Sequence, residues 1–546
     1  MKSSPLNNVR NNLKSGLTVA LVSIPLSISL AIAAGASPVS GIITAIWAGL
    51  FAAIFGGSRF NIVGPTGALS GVLATFVLLH GVEDLPLLAI VTGLVTLLAY
   101  IFNWWKYLVF VPASVIHGFT LGVAFIIAFN QTNFAFGLKN LEPQESFIKG
   151  VIESLTHIAQ LNIPATVLFI VGLVFIVLWG KRFPKFPGAI LLAVIGIILG
   201  YLADKKILGF SLDTLYTKYG DLQVNLFSFP SFNLESMDRA FFVTVMTVAL
   251  IGIIESLISA KIADGMTHSK SDKKKEILGL GLANIASGLA GGIPATAALA
   301  RTALNVKSGA NHNTSAVLNV FFIGLISLLL LHYFKYLPMP VVASILVFVA
   351  LNMMKGEHFS HMYHHDKTAF WMSLLVAVIT IVEDPMVGIL AGVALTMLIF
   401  MKKLSKAQSE ITINTNKKLT HRLLADDFPK LEEHGDVLVY RFAGLLTYVN
   451  SLSHIETIAQ IKKPHTVILA LRNLFFMDID GVDALQEMIE TLEERGIKVI
   501  ITGASSALLP ILSEQPFFQK KKKEMAVFEG TAKALRSLGV EVGEAL

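Results

Sequence analysis

The chain lacks cysteine and is poor in charged residues. Its 546 residues contain no cysteine, so disulfides, thiolate metal sites and cysteine nucleophiles are excluded. Charged residues make up 15% of the chain, against about 25% in ordinary soluble domains. The sequence also lacks a nucleophile-base constellation and a cofactor motif. We therefore expect no enzyme activity, no cofactor and no bound metal.

Apolar residues dominate the sequence. Hydrophobic residues account for 54% of the chain and the mean hydropathy is +0.68, which predicts a polytopic membrane protein. The 42 glycines suit close packing of helices in lipid. The net charge of +6 falls in short loops and the C-terminal part, which indicates membrane topology rather than nucleic-acid binding. No cleavable signal peptide is expected, because the first apolar run leads directly into another.

Apolar segments long enough for membrane helices recur along the first 406 residues. A span needs about 20 apolar residues to cross the hydrocarbon core. Fourteen spans are predicted near 16–35, 39–56, 65–80, 86–102, 107–130, 164–180, 187–203, 240–262, 276–291, 296–306, 315–332, 340–353, 368–383 and 386–401. The third and tenth are short or interrupted by glycine and proline, and they occupy equivalent places in two halves of seven. This pattern is typical of an inverted-repeat transporter with its site between the broken segments.

The stretch from Gly288 to Arg301 predicts an anion site. Small and chain-breaking residues lead into an apolar segment that ends on a lone arginine. A helix interrupted here would expose unpaired backbone N–H groups and the positive end of its dipole to a ligand. An ordinary Gly-Pro turn between two spans is the alternative at this point.

The distribution of basic residues predicts the orientation of the chain. With the N-terminus inside, the short cytoplasmic segments would contain Lys2, Arg10, Lys14, Lys106, Lys181, Arg182, Lys185, Lys270, Lys273, Lys274, Lys275, Lys307, Lys355, Lys402 and Lys403. The histidines His358, His361, His364 and His365 follow at a cytoplasmic boundary, and we interpret them as part of a solvated loop rather than a metal site.

The composition becomes that of a soluble α/β domain after Lys406. Apolar runs at 437–440, 466–471 and 498–502 predict buried strands, and 451–461 and 481–495 have helical periodicity. A small domain with a mostly parallel sheet is therefore expected over 410–546. Within it, Asp478 is expected to cap a helix, and the run Lys520–Lys523 to lie in a solvated loop, with anionic headgroups or acidic partners as the alternative.

Several motifs, taken in order, resemble those of the SulP family of anion transporters. They are Ile24-Pro25, Gly64-Pro65-Thr66-Gly67-Ala68, Gly252-Ile253-Ile254-Glu255-Ser256-Leu257 and the run from Gly281 to Leu289. The tail resembles the family's STAS domain. The resemblance implies a UraA-like fold of seven plus seven inverted spans over 1–406. It also implies a core (spans 1–4 and 8–11) that moves against a gate (spans 5–7 and 12–14) by alternating access, and a homodimer in a bacterial plasma membrane with a cytoplasmic STAS domain.

The resemblance also implies where the anion binds. The family holds it between the N-termini of the third and tenth helices, and the matching positions are Thr66, Gly67, Ala68, Thr296, Ala297 and Ala298, mostly through backbone N–H groups. The two threonines could instead bond to their own helices. Arg301 would supply a permanent positive charge, with an arginine that extends to the cytoplasmic surface as the alternative.

The eighth span contains the candidate coupling group. Glu255 lies among apolar residues, and a carboxylate removed from water takes up a proton more readily. Ser259 shares its helix face. In sodium-coupled relatives the matching position resembles an aspartate, with a hydroxyl residue four positions further on. Glu255 in place of aspartate therefore favours coupling to protons, while the hydroxyl of Ser259 leaves coupling to sodium open. A permanently protonated structural glutamate is the further alternative.

The first span bears on the choice of substrate. Leu26 and Leu30 stand where the family often has glutamine and an aromatic residue, which resembles the bicarbonate-transporting branch. The sequence therefore predicts a proton-coupled carrier of a small inorganic oxyanion, with bicarbonate favoured and sulfate next. The alternatives are a sodium-coupled bicarbonate carrier, a proton-coupled dicarboxylate carrier, and an anion channel or exchanger. Ile479 stands in the position of the phosphorylatable serine of stand-alone STAS relatives, so we expect no switch of the anti-sigma type at this site.

Overall fold

All fourteen predicted spans form helices in the structure, which is a computed structural model. It describes residues 5–106, 111–139, 147–183, 188–222, 229–230, 234–354, 356–383, 385–406, 409–415, 418–424, 436–461 and 464–540. The predicted cytoplasmic residues Lys2, Lys185 and Lys355 lie outside the described residues, as does the beginning of the fifth predicted span. Contacts divide the chain into two compact units, residues 1–394 and 395–546. The predicted boundary at 406–410 and the division into core and gate stay predictions.

The first unit consists almost entirely of helices. They are α1 (Pro5–Ala33), α2 (Pro38–Phe55), α3 (Gly67–His80), α4 (Leu85–Ile101), α5 (Ala113–Phe129), α6 (Thr132–Phe136), α7 (Phe147–Thr156), α8 (Ile163–Arg182), α9 (Gly188–Asp204), α10 (Leu215–Tyr219), α11 (Arg239–Thr267), α12 (Lys273–Leu289), α13 (Leu299–Lys307), α14 (Thr314–Phe334), α15 (Met339–Met353), α16 (Gly356–His365), α17 (Lys367–Val382) and α18 (Pro385–Leu404). Among the described residues, nine helical stretches are long and apolar enough to span a membrane, and α3, α9 and α17 are shorter apolar helices.

Two short strands precede the two interrupted helices. Strand β1 (Val63–Gly64) leads to α3, and β2 (Thr296–Ala297) leads to α13. The strands pair in antiparallel fashion, with Val63 opposite Ala297 and Gly64 opposite Thr296. The tenth predicted span therefore begins as a strand, and its helix starts only at Leu299. The reason is that Thr296 and Ala297 satisfy their backbone groups by pairing with another segment instead of within a helix.

Glycines allow two helices of this unit to pack closely. A Cβ on Gly93 of α4 would lie 2.6 Å from the carbonyl oxygen of Gly281 in α12. One on Gly281 would lie 2.8 Å from Leu97, so neither position has room for a side chain. Small residues thus bring the two backbones together, as expected for helices that associate in lipid.

The histidine-rich segment is helical, and its prediction as a loop was wrong. Residues 356–365 form α16, in which the four histidines and Glu357 are largely exposed. The ring of His358 stacks on that of His117 from α5, with 4.7 Å between ring centroids. Polar residues on most faces hid the helix, because periodicity analysis detects an apolar stripe and this segment has little of one.

The second unit contains a six-stranded sheet flanked by helices. The strands are β3 (Ser409–Thr415), β4 (Lys418–Leu424), β5 (Val437–Leu446), β6 (Thr466–Met477), β7 (Lys498–Thr502) and β8 (Val527–Phe528), and the helices are α19 (Ser451–Ala459), α20 (Ile479–Glu494), α21 (Leu509–Ser513), α22 (Pro516–Lys523) and α23 (Thr531–Ser537). The strand order is β4-β3-β5-β6-β7-β8, and β5 to β8 are parallel. The three predicted strands are confirmed, as is the cap: the Asp478 carboxylate accepts the N–H of Gly481 at 2.8 Å.

The basic run was wrongly predicted as a solvated loop. Lys520–Lys523 form the last turn of α22, and Lys521 is only 4% exposed. Its Nζ contacts Glu493 of α20 and lies 2.9 Å from Glu524 Oε2. A run of four lysines gives no sign of which one is paired, because its partner Glu493 belongs to a different helix.

A buried histidine makes the second unit sensitive to acid. His454 of α19 is fully buried; its Nδ1 lies 2.7 Å from the hydroxyl of Tyr440, and burial lowers the pKa of His454 to about 4. The unfolded chain, with a histidine pKa of about 6.5, binds the proton more readily. The stability that this residue contributes is therefore complete above that pH and is lost as the pH falls toward 4.

We predict that His454→Gln removes this pH dependence. In a fragment of residues 395–546, the wild-type free energy of unfolding should fall by about 1.4 kcal/mol per pH unit between pH 6.5 and 4 because of this one group. The variant should be less stable at pH 7.5 and show a flatter profile in this window. Urea unfolding at four pH values measures both, and parallel profiles would contradict the assignment.

Candidate anion site

The helices α3 and α13 begin at opposite ends of the β1–β2 pair. Thr66 is the extended N-cap residue of α3, and the first intrahelical contact runs from the N–H of Ser70 to the Thr66 carbonyl at 3.2 Å. The corresponding contact in α13 runs from Thr302 to Ala298, at 2.9 Å. The N–H groups in the first turn of each helix have no partner within the helix, and the dipoles add positive potential there. This is the arrangement that binds anions at helix N-termini.

The backbone donors on the α13 side differ from those predicted. The N–H of Ala297 donates to Ser256 Oγ at 3.2 Å, and that of Ala298 donates to the carbonyl of Ile62 at 2.9 Å. Thr296 is fully buried, and its hydroxyl donates to the Gly252 carbonyl at 2.9 Å. No hydrogen bond is described for the next three N–H groups in α13, those of Leu299, Ala300 and Arg301. The same is true on the α3 side for those of Gly67, Ala68 and Leu69.

Arg301 connects the two helix starts. Its side chain belongs to α13, is 2% exposed, and donates through Nη2 to the carbonyl of Pro65, just before α3. A Cβ on Gly64 would lie 2.9 Å from Nη1, so the guanidinium lies against β1 and not at the cytoplasmic surface. Among the described residues Nη1 has no hydrogen-bond partner although it is buried. A buried guanidinium N–H without an acceptor is costly, and an anion would supply the missing acceptor.

Glu255 of α11 is next to the start of α3. The residue as a whole is half-buried, and its carboxylate accepts a hydrogen bond from Thr66 Oγ1 at 3.3 Å. Its charge and that of Arg301 interact. The site therefore contains one permanent positive charge and one titratable negative charge. A protonated Glu255 leaves the site positive, and an ionised one makes it close to neutral.

Ser259 is not joined to Glu255. Its hydroxyl is fully buried and lies 2.9 Å from Asn61 Oδ1 and 3.0 Å from Thr302 Oγ1. It belongs to a hydrogen-bond network that ends at Glu276, a buried carboxylate in the same unit. Sequence reasoning missed Glu276 because it follows three lysines at the start of a span. The signal that could have found it was an acidic residue inside the apolar segment.

Apolar side chains limit the space at the start of α3. A Cβ on Gly67 would lie 3.0 Å from Ile127 Cδ1 of α5 and 3.1 Å from Met353 Sδ of α15. In α1, Leu30 is buried, and its backbone carbonyl accepts a hydrogen bond from Ser70 Oγ at 3.2 Å. Leu26 is partly buried against the main apolar core. None of these side chains offers a polar group to a large ligand.

Comparison with known proteins agrees with the fold. A family model described as the sulfate permease family matches residues 9–376, and a STAS domain model matches residues 428–534. The chain belongs to the sulfate permease family. It is therefore a member of a family of integral membrane anion transporters, which confirms the resemblance noted in the sequence.

Relatives and solved structures support this membership. The putative sulfate transporter YvdB of Bacillus subtilis (strain 168) is 31% identical over 478 residues, which is 86% of this chain and 87% of the relative. The bicarbonate transporter BicA of Synechocystis sp. is 24% identical, over 83% of this chain and 81% of the relative. The transmembrane domain of a cyanobacterial BicA is 23% identical, with a TM-score of 0.63, over 71% of this chain and 98% of that one.

A similar fold extends to the whole chain. Murine Slc26a9, an anion transporter solved in the inward-facing state, has a TM-score of 0.84 over 99% of this chain and 93% of that one. The two sequences are only 15% identical, so the similarity concerns the fold. The predicted fold class, an α-helical membrane unit followed by a small α/β STAS domain, is confirmed.

Proposed function

We propose that the protein carries a small inorganic oxyanion across the membrane together with a proton, with bicarbonate the favoured substrate and sulfate next. The observation that supports this is the junction at the start of α3, where Thr66 contacts Glu255 and Pro65 contacts Arg301. Two helix N-termini and a guanidinium with an unused N–H attract an anion. Protonation of Glu255 would remove the competing negative charge, so anion and proton binding favour each other.

The contacts of Ser259 favour protons over sodium. A sodium site would need several oxygen ligands around the ion, and the Ser259 hydroxyl is occupied by Asn61 and Thr302. Glu255 is left with the Thr66 hydroxyl, which acts as a donor to it. A carboxylate with one hydroxyl donor is suited to bind and release a proton.

The dimensions of the site favour a small substrate. Ile127 and Met353 come within van der Waals distance of the position where a side chain on Gly67 would begin. One arginine balances one negative charge, which suits bicarbonate, and two of the relatives are named for sulfate and for bicarbonate. Dicarboxylates would need more space and a second cation. We expect transport by alternating access in an elevator-like manner, a homodimer in the lipid of a bacterial plasma membrane, and a cytoplasmic N-terminus and STAS domain.

Flux measurements on the full-length protein test this proposal. Proteoliposomes should take up labelled bicarbonate, and sulfate more slowly, when the external medium is made acidic, and should take up little fumarate. Liposomes that contain Arg301→Ala correct for carbon dioxide that crosses the lipid directly. Uptake that follows a sodium gradient and ignores a pH gradient would contradict the proton coupling. Unitary currents in planar bilayers would instead indicate a channel, and strict dependence on an internal anion would indicate an exchanger.

A further inference from the structure

The segment between α2 and β1 has irregular backbone held by side chains from three other helices. The N–H groups of Gly57 and Ser58 both donate to Glu276 Oε2 of α12, at 2.9 and 2.8 Å. The carbonyl of Phe60 accepts the side-chain amide of Asn305 from α13 at 3.0 Å. Irregular backbone within a membrane protein persists where the protein itself satisfies its polar groups. The conformation of this segment therefore depends on those side chains.

Glu276 is the centre of this arrangement. Its side chain is 4% exposed, and Oε1 accepts the side-chain amide of Asn61 at 2.5 Å. Three neutral donors thus point at one carboxylate, which is the pattern that satisfies its ionised form. The described contacts of this carboxylate include no cation. Glu276 is therefore suited to hold this backbone in place.

A chain of hydrogen bonds leads from Glu276 to the anion site. The amide nitrogen of Asn61 also donates to the Ser256 carbonyl at 3.0 Å, and its oxygen accepts from Ser259 at 2.9 Å. Ser259 lies 3.0 Å from Thr302 Oγ1, and the same Thr302 oxygen accepts the N–H of Ile62 at 3.0 Å. All of these side chains are buried.

This series of hydrogen bonds ends at the peptide groups that position the first turn of α13. Ile62 is held on both sides, through its N–H by Thr302 and through its carbonyl by the N–H of Ala298. Ala298 is the N-cap residue of α13, so its position determines where the following N–H groups point. A shift of Ile62 would move β1 and the first turn of α13 with respect to each other.

We propose that Glu276 is a positioning residue of the anion site, and that Ser259 and Thr302 transmit its effect. This inference rests on the proposed function, because it concerns the same site. Glu276 fixes the segment 57–62 through Asn61 and two backbone N–H groups, and the network fixes the register of β1 against the start of α13. Ser259 accordingly has a positioning role and is not a ligand of the coupled ion.

A glutamine at position 276 would place its own N–H₂ donor against another hydrogen-bond donor in either orientation of the amide. If its amide nitrogen occupies the position of Oε2, it faces the N–H groups of Gly57 and Ser58. If it occupies the position of Oε1, it faces the Asn61 amide. Rotation of the Asn61 amide would not help, because its oxygen would then face the Ser256 carbonyl. The change preserves the shape of the side chain, removes its charge, and replaces one acceptor oxygen with an N–H₂ donor.

The test compares Glu276→Gln and Thr302→Val with two matched controls. Thr302→Ser keeps the hydroxyl, and Glu83→Gln makes the same chemical change at an exposed position. The KM and turnover of labelled bicarbonate and sulfate are measured per folded protein in proteoliposomes, together with their pH dependence. Glu276→Gln and Thr302→Val should raise KM about tenfold, with the response to a pH gradient retained because Glu255 is intact. Both controls should stay within about twofold of wild type.

Hydrogen exchange at Ile62 and Ala298 provides a readout that does not depend on transport. Their amides should exchange faster in Glu276→Gln than in Glu83→Gln. If folded variants have the wild-type KM and unchanged exchange, Glu276 supports only overall stability and the inference is overturned. If Glu276→Gln fails to fold, the comparison of Thr302→Val with Thr302→Ser decides. A wild-type protein that carries neither anion would refute the proposed function, and the exchange rates would still test the network.

Discussion

Uptake of bicarbonate driven by a pH gradient is expected to disappear in Glu255→Gln, while anion binding persists. Glutamine resembles the protonated glutamic acid, so the site keeps the charge of Arg301 and continues to attract an anion. It can no longer release a proton, and the step that links the two gradients is lost. We expect at least about a tenfold fall in gradient-driven initial rate, which corresponds to about 1.4 kcal/mol of lost coupling.

Three measurements on the same proteoliposomes check this expectation. Gradient-driven uptake of labelled bicarbonate should fall to the level of equilibration, whereas counterflow against unlabelled bicarbonate should continue. The pH dependence of the anion dissociation constant should flatten. Glu83→Gln, at an exposed position, should behave as wild type in all three. Gradient-driven uptake that survives in Glu255→Gln would remove this residue from the coupling mechanism.

Arg301→Ala is expected to weaken anion binding on the order of a hundredfold. The change removes a buried charge and the hydrogen bond to Pro65, and truncating a buried charge pair costs about 2–5 kcal/mol. Arg301→Lys keeps the charge but loses the forked donor geometry, so it should lose about tenfold. The graded loss separates the contribution of charge from that of directed hydrogen bonds.

Binding to the purified protein in detergent measures this effect without transport. The dissociation constants of bicarbonate and sulfate are obtained by calorimetry, and the midpoint of thermal unfolding confirms that each variant is folded. Arg59→Ala is the matched control, since Arg59 is exposed and lies in the segment before β1. If the alanine variant does not fold, the lysine variant decides. Equal affinities in Arg301→Lys, Arg301→Ala and wild type would exclude the arginine from the site.

The sequence allowed the membrane spans to be predicted because an apolar run needs only local information. Apolar length located the spans, and the glycines and prolines around Gly64 and Pro294 marked the third and tenth as interrupted. The apolar runs at 437–440 and 466–471 likewise located parallel strands. Strands β3 and β4 were missed because they are largely polar, and they lack the continuous apolar run that marked the buried strands.

The site could be predicted only in outline, because its details depend on partners distant in the chain. Thr296 and Ala297 form a strand only because Gly64 and Val63 pair with them. A two-residue strand has no periodicity that could reveal it. The role of Glu276 also depends on partners distant in the chain, because its hydrogen-bond donors belong to the segment that follows α2. Sequence reasoning identified the chemical types at the site, and tertiary contacts determined which groups are already occupied.

The β1–β2 pair has a consequence for how a bound anion could be released. Strand β1 leads into α3 and strand β2 into α13, and Arg301 of α13 adds a second attachment at Pro65, just before α3. The donors on α3 and α13 cannot move apart unless both attachments break. An anion held between these donors would be released when the surrounding protein surfaces move away from the two joined helix starts and expose the anion. Those surfaces include the side chains of Ile127 and Met353, which lie beside Gly67.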